Sequence, residues 1–269
     1  MARPGAVLTR ERARAQLPPG VGMSALQRLR EIEAAAAARE RLRDNPYRTS
    51  FVAFLGLLHT VDEARGGEVR AWPVSGGWAS YWSIWEDALL RRRLLLVDKT
   101  RRTMASNLMS AFDLWVASGG VDPRWPALTR SSSNRLVLIQ ARKLEKKAGS
   151  ADFVHRIQTM YEQAERTGLR AAWPDFPVWT WQFGHGSNTV GGEIEALPEG
   201  ADQSRGPGAT LVHMEEVGFW DQAAATISAT IPALTAGGSA GEDLSGHLVA
   251  VTTPNAMQSF LGDIRDGRV

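Results

Sequence analysis

Leu94-Leu95-Leu96-Val97-Asp98-Lys99-Thr100-Arg101-Arg102-Thr103-Met104-Ala105-Ser106-Asn107 joins a short apolar run, a basic polar loop and the start of a periodic segment. The run has the length of a buried strand. Over residues 104–117 apolar side chains recur at helical spacing, as Met104, Leu108, Phe112, Trp115 and Val116. Strand, basic loop and helix with a serine at its mouth is the layout of a phosphate cradle. A helix N-terminus offers unpaired N–H groups and the positive end of its dipole to an anion. In that layout Ser106 is placed to ligate Mg²⁺, and Lys99 to reach the β- and γ-phosphates as a compact point charge. The loop does not read G-x-x-x-x-G-K-[ST]: Lys99 stands at the first glycine and Met104-Ala105 at the Gly-Lys pair. Taken alone, it reads equally as an ordinary strand–turn–helix with a solvated basic turn.

Working outward, the chain has 269 residues, enough for one large domain or two small ones, and a hydrophobic fraction of 43% that suits a globular core. Net charge is only +2, but the arginines cluster, which permits contact with a polyanion without demonstrating it. Ten tryptophans are expected mostly in packing. The absence of cysteine excludes disulfides and zinc–thiolate sites and fits a reducing compartment. No apolar run approaches the roughly 20 residues that span a bilayer, and the N-terminus has no signal-peptide pattern. A cytoplasmic location without membrane contact is expected.

Residues 1–20 read as a loose arm and 24–43 as a helix capped by Ser24, with an outer face of Arg and Glu. Asn45-Pro46 breaks the chain. Residues 69–72 read as a strand after the turn Arg65-Gly66-Gly67. Residues 78–92 read as a helix with Trp78, Tyr81, Trp82, Trp85, Leu89 and Leu90 on its inner side. A second buried strand covers 135–140 and a helix 151–168, so the order is β-α-β-α, the mark of a parallel sheet. Residues 178–183 alternate, 184–188 turn and 190–196 return, predicting an added hairpin. Thr210-Leu211-Val212-His213-Met214-Glu215-Glu216 is a hydrophobic strand ending in two acids. In a nucleotide site one such carboxylate serves the metal and the next polarises the attacking water. Residues 219–234 predict a helix. Residues 247–251 predict a last strand, ending in Thr252-Thr253-Pro254 where α/β sheets place ligand contacts. The five histidines have no metal-ligand spacing, and His213 is expected to face the core.

The order of these pieces resembles that of a RecA-like ATPase core. The chain resembles the ATPase domain of the large terminase subunit, the motor that pumps DNA into tailed-phage procapsids. Lys99-Thr100-Arg101-Arg102-Thr103-Met104-Ala105-Ser106 is similar to the deviant phosphate loop of those motors, which often reads Lys-Ser-Arg-Arg-Met-x-x-Ser. Residues 60–73, Leu138-Ile139-Gln140, Arg205-Gly206 and Thr252-Thr253-Pro254 fit the same pattern. The resemblance covers roughly residues 45–265. It implies an α/β P-loop NTPase of the RecA/ASCE type, with a mostly parallel sheet flanked by helices. Residues 1–44 would form a helical extension and 45–269 the ATPase domain.

The resemblance also implies ATP and Mg²⁺ as ligands, with Lys99, Thr100, Arg101, Arg102, Thr103, Met104, Ala105, Ser106 and Asn107 around the nucleotide. Ser106 and Glu215 would hold Mg²⁺, and Glu216 would be the general base. Arg101, Arg102 and Arg205 are the candidate arginines for the γ-phosphate or a neighbouring subunit. Thr252 and Thr253 would couple nucleotide state to DNA grip, and adenine would contact residues 45–73, with Trp72 or Tyr47 as stackers. Implied partners are double-stranded DNA bound through its backbone, a portal protein, a small terminase subunit and further copies in a ring. Two departures stand out: Glu215 where the family usually has Asp, and Met104 where the wider family has Gly. The RNase H-like nuclease domain of large terminases has no counterpart before Val269, so no nuclease activity is expected from these residues. Open alternatives are another RecA-like nucleic-acid ATPase, or a degenerate ATPase acting as a DNA-binding scaffold.

Overall fold

Three strands of this chain are apolar at most positions, which is the sequence pattern of parallel strands covered on both faces. The computed structural model describes residues 45–62, 68–92, 94–99, 104–125, 128, 135–145, 149–203, 208–234 and 246–253. The three strands are β4 (Leu136–Ala141), β8 (Leu211–Glu215) and β9 (His247–Thr252). Together with β3 (Leu94–Asp98), β5 (Trp179–Gln182), β6 (His185–Asn188) and β7 (Glu193–Pro198) they form a seven-stranded sheet in the order β3-β9-β8-β4-β7-β6-β5. The pairings from β3 to β7 are parallel and the last two are antiparallel. A separate antiparallel pair, β1 (His59–Asp62) with β2 (Glu68–Ala71), stands outside this sheet.

Helices lie on both faces. Alternate strand residues sort between two apolar clusters. Val137, Ile139, Leu211, Val249 and Val251 join the larger one, with α4 (Ala105–Ala117) and α5 (Ser150–Thr167). Leu138, Val212, Met214, Leu248 and Ala250 join the other, with α7 (Ala223–Leu234). This period-two division is what a pleated sheet between two helical layers imposes. The larger cluster also holds α1 (Pro46–Thr49), α2 (Phe51–Leu55), α3 (Gly77–Arg91) and α6 (Leu169–Ala172). Asn45 caps α1 and Ser50 caps α2 through their side-chain oxygens. Trp82, Trp115, Trp125 and Trp173 are fully buried there. Among the described residues no helix is long and apolar enough to cross a membrane.

The structure departs from the sequence expectations at several points. β3 is the edge of the sheet, and Leu94 and Leu96 are exposed, so its apolar run does not reflect a central position. Residues 178–198 form three strands rather than a hairpin. The chain turns at Phe183-Gly184, where Gly184 has φ +67, and again after Asn188. The sequence His185-Gly186-Ser187-Asn188 has no alternating pattern to mark it as a strand. Trp78 is half exposed and stacks on Trp82 instead of lying inside. The helix expected from residue 219 begins at Ala223, after a 3-10 turn at Val217–Phe219, because the Trp220 indole is tied back to the Glu215 carbonyl at 2.9 Å. Residues 24–43, the turn at 65–67, Arg205 and Pro254 lie outside the described residues.

Arg135 opens β4 from a buried position. Its guanidinium donates to the carbonyls of Val116 (2.9 Å), Gly120 and Leu128 (3.4 Å), tying the end of α4 to the sheet. Burial, with Arg48 adding to it, pushes its pKa down to about 10. Replacing Arg135 by Met retains volume but strips these carbonyls of their donor. A loss of about 3 kcal/mol is expected in a urea denaturation series. A loss under about 1 kcal/mol would show that water replaces the guanidinium.

Candidate functional site

Register brings the candidate residues together. Asp98 is level with Thr252 across β3 and β9, and Glu215 is level with Val251 across β8 and β9. The C-terminal ends of three adjacent parallel strands therefore deliver Lys99, Thr252-Thr253 and Glu215-Glu216 to one edge of the sheet, where α/β folds carry their ligand sites. The Lys99 backbone N–H is fixed to the Thr252 carbonyl at 2.9 Å.

The Lys99 ammonium is the point of convergence. It donates to Ser106 Oγ at 2.8 Å and lies 3.3 Å from Glu216 Oε1 and 3.8 Å from Glu215 Oε2. Thr253 donates both its N–H and its hydroxyl to the Glu216 carboxylate, at 3.1 and 3.0 Å. Thr252 Oγ1 accepts the Gly218 N–H at 3.1 Å. One cation, two acids and two hydroxyl side chains from β3, α4, β8 and β9 are thus linked directly.

Two residues here have left-handed backbone, Met104 (φ 59) and Glu216 (φ 53). Met104 is the N-cap of α4, its carbonyl accepts the Leu108 N–H, and no side chain caps the helix among the described residues. The φ > 0 turn for which glycine is the usual residue is made here by methionine, at about 1–2 kcal/mol. Strain of this order at a helix mouth is characteristic of ligand-binding turns, and uncapped first-turn amides suit an anion.

Glu215 is 1% exposed, and neither of its carboxylate oxygens has a hydrogen-bond partner among the described residues. The Lys99 ammonium, 3.8 Å from Oε2, balances their charge without a hydrogen bond, which leaves both oxygens open to a metal ion. With Ser106 Oγ they offer the hard donors that Mg²⁺ takes. Among the described residues there is no group of three or more His, Cys, Asp or Glu that could hold a metal alone. Mg²⁺ does not require one, because it keeps waters and shares phosphate oxygens.

The other predicted residues are placed differently. Ala105 is buried in the first turn of α4. The Asn107 amide donates to Thr60 Oγ1 at 3.2 Å and joins α4 to β1. Thr100, Arg101, Arg102, Thr103 and Arg205 lie outside the described residues. Trp72 is buried against Trp82 and is not a stacking surface, and Tyr47 packs on the main core. A cavity of about 210 Å³ lies instead between β1, β2, α4 and α5, lined by His59, Thr60, Val69, Asn107, Met160 and Gln163 among others.

His213 faces the core as its place in β8 predicts, and it meets there a second fully buried titratable residue, Asp113, that the sequence reading does not pair with it. His213 Nδ1 lies 2.8 Å from Asp113 Oδ2, and Nε2 lies 4.0 Å from Glu215 Oε1. Burial by itself lowers the imidazole pKa. Asp113, by charge and hydrogen bond, and then Glu215 outweigh it and hold His213 above its ordinary value. The available signal was an aspartate in the middle of the otherwise apolar run Ala111-Phe112-Asp113-Leu114-Trp115-Val116.

No protein family model matches the chain, and no curated protein sequence matches it. Among solved structures it is similar to the crystal structure of the HK97 bacteriophage large terminase, with 16% identity and a TM-score of 0.46 over 68% of this chain and 34% of that one. The chain spans about a third of the length of that structure.

Proposed function

We propose that this chain is the ATP-hydrolysing motor domain of a phage DNA-packaging terminase, a P-loop NTPase of the RecA/ASCE type. It would couple Mg-ATP hydrolysis to movement of double-stranded DNA into a procapsid. The observation that carries this reading is the convergence of Ser106, Glu215 and Glu216 on the Lys99 ammonium at the aligned ends of β3, β8 and β9. An acid–hydroxyl–lysine cluster beside an uncapped helix N-terminus suits phosphoryl transfer.

In this reading Lys99 binds β- and γ-phosphate oxygens, and the first-turn amides of α4 bind the remaining phosphate charge. Ser106 and Glu215 hold Mg²⁺, which supplies charge neutralisation and orientation. Glu216 receives a proton from the attacking water at a carboxylate oxygen. Thr253 donates two hydrogen bonds to that carboxylate and reports its position to β9. Arg101, Arg102 and Arg205 are the arginines proposed for the γ-phosphate, in this subunit or a neighbour. The cavity at Asn107 begins one residue past Ser106 and has apolar walls in Val69 and Met160, which suits a purine. The working partners are DNA held through its phosphates, a portal, a small terminase subunit and further copies in a ring, in the host cytoplasm.

The test is phosphate release from ATP at high protein concentration, with and without double-stranded DNA. Hydrolysis that starts with Mg²⁺ and stops with a chelator is the expected result. A chain that neither hydrolyses nor binds nucleotide under these conditions would be a scaffold, and the ATPase reading would fall.

A further inference from the structure

α4 and β8 face each other through matched pairs. Ser106 and Asp113 are seven residues apart on α4, two helical turns, and so share one face. His213 and Glu215 are two residues apart on β8 and share the face turned to α4. The outer pair, Ser106 and Glu215, belongs to the candidate Mg²⁺ site. The inner pair, Asp113 and His213, has no part in the reaction proposed above.

We infer that Asp113 and His213 are positioning residues that hold the Glu215 carboxylate in the orientation it needs to serve Mg²⁺. This inference rests on the Mg-nucleotide reading of the site. Asp113 Oδ2 and His213 Nδ1 share a hydrogen bond at 2.8 Å, which fixes the ring and turns Nε2 toward Glu215. Nε2 and Glu215 Oε1 face one another at 4.0 Å. Neither has a hydrogen-bond partner among the described residues, and both are cut off from solvent. With one proton shared between Nδ1 and Asp113 and a second on Nε2, these two buried atoms are donor and acceptor to each other, and such contacts tighten when a ligand fixes one of them. The groups around the ring are Asp113 from α4, Glu215 from β8, Lys99 beyond it, and the Phe153 ring of α5 edge-on at 5.8 Å. An imidazole fixed on one side by a carboxylate and presenting its other nitrogen to a metal-binding group is how outer-shell residues orient ligands.

His213→Asn and His213→Gln separate this role from a purely structural one. Asn can still donate to Asp113 but loses the group facing Glu215, whereas Gln extends an amide to about the place of Nε2. The measurement is a Mg²⁺ titration of the binding of a fluorescent ADP analogue, on variants shown to be folded by circular dichroism. His213→Asn is expected to raise the Mg²⁺ midpoint about 10–100-fold, with nucleotide affinity at saturating Mg²⁺ changed less than about threefold. His213→Gln is expected to recover most of that loss. A wild-type midpoint in folded His213→Asn overturns the inference and leaves the ATPase reading standing. Nucleotide binding by the wild type that ignores Mg²⁺ overturns both. Should His213→Asn not fold, Asp113→Leu carries the test: it removes the partner of Nδ1 at similar volume, and an unchanged midpoint in the folded variant overturns the inference.

Discussion

Glu216→Gln is expected to lower ATP turnover about 10²–10⁴-fold, the range set by loss of a positioned general base. The substitution is close to isosteric. An amide oxygen still accepts the Thr253 N–H, and the Thr253 hydroxyl, now donating at 3.0 Å, is able to accept from the new NH₂ instead. The left-handed backbone at residue 216 is no harder for Gln than for Glu, so the geometry survives. What the amide cannot do is take a proton from water. Nucleotide affinity is expected to stay within about threefold, which places the defect in the chemical step. Lys99 loses one anionic neighbour at 3.3 Å, which frees the ammonium for phosphate and makes tighter binding the more natural direction of any change. Single-turnover measurement with radiolabelled ATP separates binding from hydrolysis. Turnover within about threefold of wild type would remove Glu216 from the reaction and pass the role of base to another group.

The parts of this molecule legible in its sequence are those where one local signal suffices. β4, β8 and β9 are mainly apolar because both faces are covered, and β8 and β9 run into the polar residues that meet Lys99 at the C-terminal end of the sheet. α5 is periodic and stops at Gly168, whose φ of +110 suits glycine. The illegible parts depend on partners distant in sequence. Asp113 and His213 are 100 residues apart, and nothing in either neighbourhood marks the other. The start of α7 is set by an indole hydrogen bond rather than by periodicity. β3 is at the edge because among the described residues it pairs with β9 alone, whereas its own residues suggest a centre. Met104 is the instructive case. Residue preference argues for glycine in a left-handed turn, yet methionine adopts it, held by burial against the main core and by the Leu108 N–H. Tertiary packing overrode a local rule at a candidate functional turn, where such violations concentrate.

Lys99→Met is expected to abolish measurable ATP turnover and to weaken nucleotide binding by about 10²-fold or more, since it removes a charge-assisted contact to phosphate. The same change acts on the fold. Glu215 is 1% exposed, and Lys99 is a cation beside it at 3.8 Å. Without that charge the buried Glu215 carboxylate is left facing His213 Nε2 at 4.0 Å. Removing one partner of a well-buried pair costs 3–5 kcal/mol, and the longer distance here brings the expected loss to roughly 2 kcal/mol. Methionine matches the length of the lysine stem, so lost packing contributes little. The two effects come apart in a double variant. Adding Glu215→Gln neutralises the stranded carboxylate and is expected to return most of the lost stability in a urea series, while turnover stays absent because both the phosphate contact and the metal-side carboxylate are gone. Recovery of turnover in the double variant would mean that Lys99 serves only to neutralise Glu215. Full activity in Lys99→Met alone would take phosphate binding away from this loop altogether, and with it the reading of residues 94–107 as a nucleotide cradle.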